Sequence, residues 1–311
     1  METKDIPALS EQETEKAEKR KYRIAMLCAY LGHIIWGFSL LFTRMAIRVA
    51  DPDVLLAWRF LVATLIMTVL VLTKRVHVSF KGKQWGPAIL LVVLQLIYYI
   101  TESYSVYYTN TTFSGVVLAV SPVLSILFAL LFLKEYPSRR QVLFCFLPVI
   151  GVIVMTLSGS SLGIIQPIGL ACLIVTCVVS GAYKTVNRKT AESFSSFERS
   201  YFVLAASAVG YVIMALVSNG FDIKAFVSPL ADPQFLIPML VLSVFCSIGA
   251  NLLVNYSVKS MTVIKYSSFG SLSTLCSMFA GVIFLDEPLT VAIFIGAVLI
   301  LVGIHEVTKQ K

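Results

Sequence analysis

Gln95, Tyr98 or Tyr99, Glu102 and Ser105 recur at steps of three and four residues within an apolar stretch. That spacing sets them along one face of a helix. A carboxylate among apolar neighbours is rare enough to mark a functional position, and two chemistries are open to Glu102. It can load and release a proton as general acid and base. Alternatively, with Tyr98, Tyr99 or Trp36 nearby, it can complete an aromatic cage with a counter-charge for an organic cation. A third role is structural, as partner of an intramembrane Arg or Lys.

Other apolar stretches carry polar groups of the same kind. His33, Trp36, Gly37 and Ser39 stand in the first, and Ser180, Gly181, Tyr183 and Lys184 in the sixth. Trp36 and Tyr183 suit opposing aromatic walls, while Gly37 and Gly181 let a helix backbone come close to a ligand or to a neighbouring helix. His33 belongs to the residue type that titrates near neutrality, which makes it a second candidate for proton coupling or a buried group with satisfied hydrogen bonds. Lys184 either meets substrate or snorkels to the interface. The eighth stretch offers Ser243, Ser247, Asn251 and Asn255 on one face. Its asparagines either bind substrate or join helices through hydrogen bonds of about 1 kcal/mol each. Lys265 and Tyr266 open the ninth, where they greet an anionic substrate at a helix N-terminus or flank the interface. Arg59 is read as half of a structural ion pair, and Arg44 and Arg48 as headgroup contacts.

The composition dictates what holds these groups. Hydrophobic residues make up 58% and charged residues 14% of the chain, and the mean hydropathy is +0.85. A soluble domain carries roughly 25% charge, so this chain belongs in a bilayer. Ten stretches of roughly 17–23 residues are long enough to cross about 30 Å of hydrocarbon as helix. They lie near Ile24–Ala46, Val54–Leu72, Trp85–Tyr107, Phe113–Leu133 and Gln141–Leu157, then Ile165–Asn187, Phe197–Ser218, Phe235–Val258, Val263–Leu285 and Val291–Val307. Helix rather than strand follows from length, and because a lipid-exposed backbone must satisfy its own hydrogen bonds. Residues 1–23 are polar and charge-dense without a cleavable signal pattern, and are read as a disordered or helical cytoplasmic tail.

The net charge of +8 arises from short basic runs between the stretches and does not point to nucleic acid. Six cysteines sit within or beside apolar stretches without CxxC spacing, so neither a metal site nor a disulfide framework is expected. The three histidines, His33, His77 and His305, form no pairing with a serine nucleophile, and no phosphate loop precedes a helix. No catalytic residue, metal or cofactor is assigned, and the chain is not read as an enzyme.

The order of the stretches contains a duplication. Phe132-Leu133-Lys134-Glu135 returns 152 residues later as Phe284-Leu285-Asp286-Glu287. At that offset Ser121 meets Ser273, Ser125 meets Ser277, Gly151 meets Gly303, and Tyr104-Ser105-Val106 meets Tyr256-Ser257-Val258. An offset held this far marks a repeat, with units at 24–157 and 165–307. Lys74, Arg75, Lys134, Arg139, Arg140, Arg188 and Lys189 fall on one side of the spans, and little beyond Arg48 and Lys224 on the other. The bias puts both termini in the cytoplasm. Five spans per unit is an odd number, so the second unit is expected upside down relative to the first. Inverted repeats supply two opposite-facing states around a central site, the basis of alternating access. The offset also pairs Gln95 with Ser247, Tyr99 with Asn251, and Glu102 with Val254. A charge kept in one copy alone points toward a ligand rather than packing.

Two five-helix units, closing their fourth spans with FLKEYP and FLDEP and continuing into an apolar helix with glycine, resemble the EamA-type transporters of the drug/metabolite transporter superfamily. The pattern is clearest over Tyr107–Gly151, including Pro122, and Lys259–Gly303. It departs at Thr274, where the second unit lacks the matching proline. The resemblance implies secondary transport of a small metabolite, amino acid, amine or drug-like compound, often outward. Glu135 and Glu287 are read as capping and turn residues, and Asn110-Thr111-Thr112 as a glycan-acceptor pattern too close to the bilayer for use. The expectation is an all-α integral protein of the inner or plasma membrane, with ten transmembrane helices as two inverted five-helix repeats. Its partners are the lipid bilayer and a small-molecule substrate held by Trp36, Gln95, Tyr99, Glu102, Tyr183, Asn251 and Asn255, with self-association left open. An uncoupled facilitator of an organic cation and a non-transporting lipid-handling protein are the alternatives.

Overall fold

The computed structural model describes residues 11–79, 81–109, 114, 117–118, 120–157, 166–284 and 291–309. Glu287 and the Asn110-Thr111-Thr112 pattern lie outside the described residues. Every regular element among the described residues is helical: α1 (Glu11–Gly37), α2 (Ser39–Ala46), α3 (Pro52–Leu72), α4 (Trp85–Tyr108), α5 (Ser121–Phe128), α6 (Arg139–Leu157) and α7 (Pro167–Thr190). Then follow α8 (Ser196–Ser218), α9 (Ile223–Val227), α10 (Pro233–Val241), α11 (Asn251–Ser260), α12 (Val263–Ser268), α13 (Gly270–Phe284) and α14 (Val291–Lys309). Six runs are long and apolar enough to cross a membrane: Glu15–Ala46, Pro52–Leu72, Trp85–Tyr108, Pro167–Thr190, Ser196–Ser218 and Pro233–Ser260. Ser121–Leu133 and Phe294–Val307 are shorter apolar helices.

Local chemistry sets several boundaries. Proline stands at the first turn of α3, α7 and α10, where its missing N–H is no loss. The Asp232 carboxylate accepts the Gln234 N–H at 2.8 Å to cap α10. Before α8, Ser195 and Glu198 form a reciprocal capping box, with N–H donors reaching each other's side chains at 3.2 and 2.8 Å. The Glu198 carboxylate also takes the Ser79 N–H at 2.9 Å and the Lys83 ammonium at 2.8 Å, which binds the loop after α3 to the start of α8.

Four features depart from uninterrupted spans, one of them π geometry over Ala129–Leu133 at the end of the fourth. The first span breaks between Gly37 and Ser39, where the Phe38 N–H turns back to the Ile35 carbonyl at 3.2 Å. The ninth breaks at Phe269, whose N–H reaches the Tyr266 carbonyl at 3.3 Å. Both are tight three-residue turns and neither needs proline. The eighth span widens to π geometry over Leu242–Ala250, which shifts its carbonyls off the regular ladder and is often found at functional sites.

In the interior, α3 packs on α8, α4 on α7, α1 on α11 and α13, α5 on α7, and α6 on α14. Leu27, Leu65, Val69, Ile213 and Val217 face outward and exposed, whereas Gln95, Ser247, Asn251, Arg59 and Arg199 are buried. That is the polarity of a chain solvated by hydrocarbon, with its polar groups gathered between helices. The protein is an all-α, multi-span membrane protein.

Candidate functional site

A cavity of about 130 Å³ lies among α1, α4, α7 and the helices from α11 to α13. One water requires about 10–15 Å³, so the space suits a small metabolite. The face read from spacing is on its wall: Gln95, Tyr98, Tyr99 and Glu102 all line it. The Tyr98 hydroxyl, one turn before Glu102, donates to its carboxylate at 2.8 Å. No Lys or Arg nitrogen comes within 4.0 Å of that carboxylate among the described residues, where the ion pairs are Lys19–Glu15 and Lys83–Glu198. Glu102 thus makes no salt bridge among the described residues, and the Arg59 charge reaches it only through space.

Arg59, read as half of an ion pair, is corrected on the same ground. Its side chain is buried at 1% exposure, and its Nε donates to Ser247 Oγ at 2.8 Å. The guanidinium lies 4.8 Å from the Tyr99 ring centre and 5.6 Å from that of Phe60. One terminal nitrogen has no hydrogen-bond partner. Aromatic faces and a hydroxyl hold this cation in place of a carboxylate. Arg44, read as a headgroup contact, instead donates to the Val106 carbonyl at 3.0 Å, near the end of α4.

Trp36, Tyr183 and Asn251 also line the cavity. Trp36 Nε1 donates to the Cys246 carbonyl at 3.0 Å, and the Asn251 amide donates to the Ser247 carbonyl at 2.9 Å. Both acceptors belong to the π-helical run, so the widened turn anchors two wall residues. His33 lines the cavity and donates from Nδ1 to the Ala29 carbonyl at 2.8 Å. Its ring meets Trp36 and Tyr266 edge-on, with centroids 5.3 and 5.8 Å apart. Gly37 and Gly181 serve helix packing rather than ligand approach. A Cβ at Gly181 would stand 2.9 Å from Phe128 Cδ2, and one at Gly37 would stand 2.8 Å from the Ser273 carbonyl.

Lys184 does not snorkel. It is 7% exposed, lines the cavity, and brings Nζ to 3.5 Å from Ser121 Oγ. Tyr266 lines the cavity as well, but its neighbour Lys265 turns to Tyr22, 5.6 Å above the ring and 3.5 Å from the hydroxyl. Asn255 also stands apart from the cavity, in a buried node. Its side-chain oxygen accepts from Asn187 at 2.8 Å, its amide donates to Ser200 Oγ at 2.8 Å, and its carbonyl accepts from Arg199. The glue role fits Asn255, whereas Asn251 faces the cavity.

Sequence reasoning passed over Ser121 and Ser273, which both line the cavity. The signal was present, since they are partners at the repeat offset. It also passed over Arg199, 1% exposed, which donates to the Asn187 side chain at 2.6 Å and ties α7, α8 and α11 together. Outside the spans, Glu135 caps a helix of the other unit: its carboxylate accepts the Val263 N–H at 2.8 Å, at the start of α12. Burial raises the Glu135 carboxyl above the usual carboxylate range, opposed by that N–H and by the Arg188 charge.

A cavity lined by both polar and apolar side chains inside a multi-span helical membrane protein suits the class of proteins that handle small solutes. Within that class, the chain belongs to the EamA-like transporter family, whose pattern matches residues 23–157 and again 167–307. It is similar to YcxC of Bacillus subtilis, an uncharacterized transporter, at 29% identity over 92% of this chain and 93% of the relative. Another uncharacterized transporter of that organism, YvbV, is 28% identical over 94% and 93% of the two chains. An uncharacterized transporter of Archaeoglobus fulgidus is 23% identical over 89% and 95%. A solved crystal structure shares the fold, with a TM-score of 0.72 at 16% identity, over 91% of this chain and 96% of the other. The family and these relatives are transporters, not enzymes.

Proposed function

We propose that this protein is a secondary transporter that exports a small amine-bearing metabolite across the cell membrane by alternating access, coupled to protons at Glu102. The observation that carries the reading is the Glu102 carboxylate on the cavity wall, held by the Tyr98 hydroxyl and unpaired with any cation within 4.0 Å among the described residues. An intramembrane acid outside any salt bridge among the described residues, with the Arg59 charge acting on it only through space, is able to exchange its proton for a solute cation.

Ten spans in two inverted units support the alternating mechanism. A pseudo-two-fold relation would exchange span one with six, three with eight, and four with nine. The observed packing obeys that exchange: α4 on α7 corresponds to α1 on α11, and α5 on α7 corresponds to α1 on α13. Lys74, Arg75, Lys134, Arg139, Arg140 and Arg188 then face the cytoplasm with both termini.

The test is uptake into proteoliposomes under an imposed proton gradient. Wild-type protein is expected to accumulate a solute only with the gradient, and Glu102→Gln to abolish accumulation while solute exchange persists. A gradient-insensitive flux in the wild type sinks the coupling. It would favour the second reading, an uncoupled facilitator in which Glu102 is only a counter-charge, which the aromatic wall of Trp36, Tyr98 and Tyr99 also suits.

A further inference from the structure

Glu102 gives the cavity a negative wall on α4. A positive one is built on α7. Lys184 is 7% exposed and lines the same cavity, and its ammonium has no Asp or Glu oxygen within 4.0 Å among the described residues. Among the described residues its hydrogen bond is a long one, 3.5 Å to Ser121 Oγ, and an ammonium carries three donors. An ammonium is compact and strongly hydrated, and inside a membrane it is retained where a partner compensates it.

The surroundings are arranged for a partner that arrives from outside. Ser121, 3.5 Å from Nζ, brings a hydroxyl beside it, and Ser180 and Tyr266 bring hydroxyl-bearing side chains to the same cavity. Gly270 opposite leaves the space unfilled, since a Cβ there would stand 3.5 Å from Nζ. Hydroxyl donors around an uncompensated ammonium make a receptor for an oxyanion. Leu40 and Leu118 add apolar wall between the poles.

Resting on the transport reading above, we infer that Lys184 is the specificity-determining receptor for a carboxylate on the solute. The solute is then dipolar, with its ammonium toward Glu102, its carboxylate toward Lys184, and an apolar frame.

The full-length protein in detergent is titrated with dipolar amino acids bearing apolar side chains. Each is compared with its amide, which removes the negative charge, and with the deaminated acid, which removes the positive one. The free amino acid is expected to bind at least tenfold more tightly than its amide. Lys184→Gln should abolish that preference and weaken the deaminated acid at least tenfold, leaving amide affinity within twofold. Lys184→Arg should keep the preference, and it guards against a Gln variant that fails to fold. Amides binding as tightly as acids, or a preference that survives Lys184→Gln, overturns the inference and makes Lys184 structural. Proton-driven proteoliposome flux of an amine would still stand in that case. Binding by none of the compounds also overturns it, and only an absence of flux for any solute would take the transport reading with it.

Discussion

Tyr98 and Glu102 are one helical turn apart, and their hydrogen bond decides how the acid is held. A hydrogen bond to a charged group contributes about 1.5–3 kcal/mol, so Tyr98→Phe is expected to weaken solute affinity about tenfold or more while the fold persists. Titration of the variant beside wild type checks this, and unchanged affinity would show that the hydroxyl only packs. Gln95, Tyr99 and Glu102 were legible because one helix face needs nothing but a three- and four-residue rhythm. Asn255 was misread for the same reason: it shares a face with Asn251, but the cavity ends before the helix does, and Arg199 and Asn187 meet it instead. Lys184 was left between two readings because a long stem near a helix end can reach either way. Only the packing of α5 and α13 around it decides.

At the scale of elements, the Glu135 carboxylate caps α12 from the other unit. Because burial raises its carboxyl above the usual range, folding favours the protonated form. By linkage its contribution is present below the unfolded carboxylate range and is lost as pH rises through the folded value. Melting curves between about pH 4 and about pH 8 should therefore show wild type losing stability with pH relative to Glu135→Gln, which keeps an acceptor for the Val263 N–H. Parallel curves would remove Glu135 from the account. The six long spans were legible from length and hydropathy, and the prolines at α3, α7 and α10 from their position. The turns at Phe38 and Phe269 were not, since no proline or glycine pair marks both. Nor was the π run over Leu242–Ala250, where a single extra residue per turn leaves the apolar pattern intact.

For the whole molecule, Gly151 on α6 and Gly303 on α14 are partners at the repeat offset, and each accepts the other's helix. A Cβ at Gly151 would stand 2.7 Å from the Gly296 carbonyl, and one at Gly303 would stand 2.5 Å from Pro148 Cδ. Gly151→Val and Gly303→Val are each expected to cost about 1–3 kcal/mol through overpacking, read as a lower melting temperature. Solute affinity should be untouched, because neither helix lines the cavity. A drop in affinity without a drop in stability would mean that this pair couples to the site. The repeat itself was legible, from residues such as Ser121 and Ser273 that the fold then brings to one wall.

The repeat is imperfect at the position that matters most. Where the first unit has Glu102, the second has Val254, buried and pressed so close to α1 that a Cβ on Gly32 would stand 2.7 Å from it. On the inverted-repeat reading, two identical halves would make the inward- and outward-facing forms equal in free energy. Each such mismatch breaks that degeneracy, and about 1.4 kcal/mol is enough for a tenfold bias. The empty carrier then rests with its mouth mostly to one side, and loading or unloading Glu102 shifts the balance. On that reading, direction becomes a property of the differences between the halves, of which Glu102 against Val254 is one.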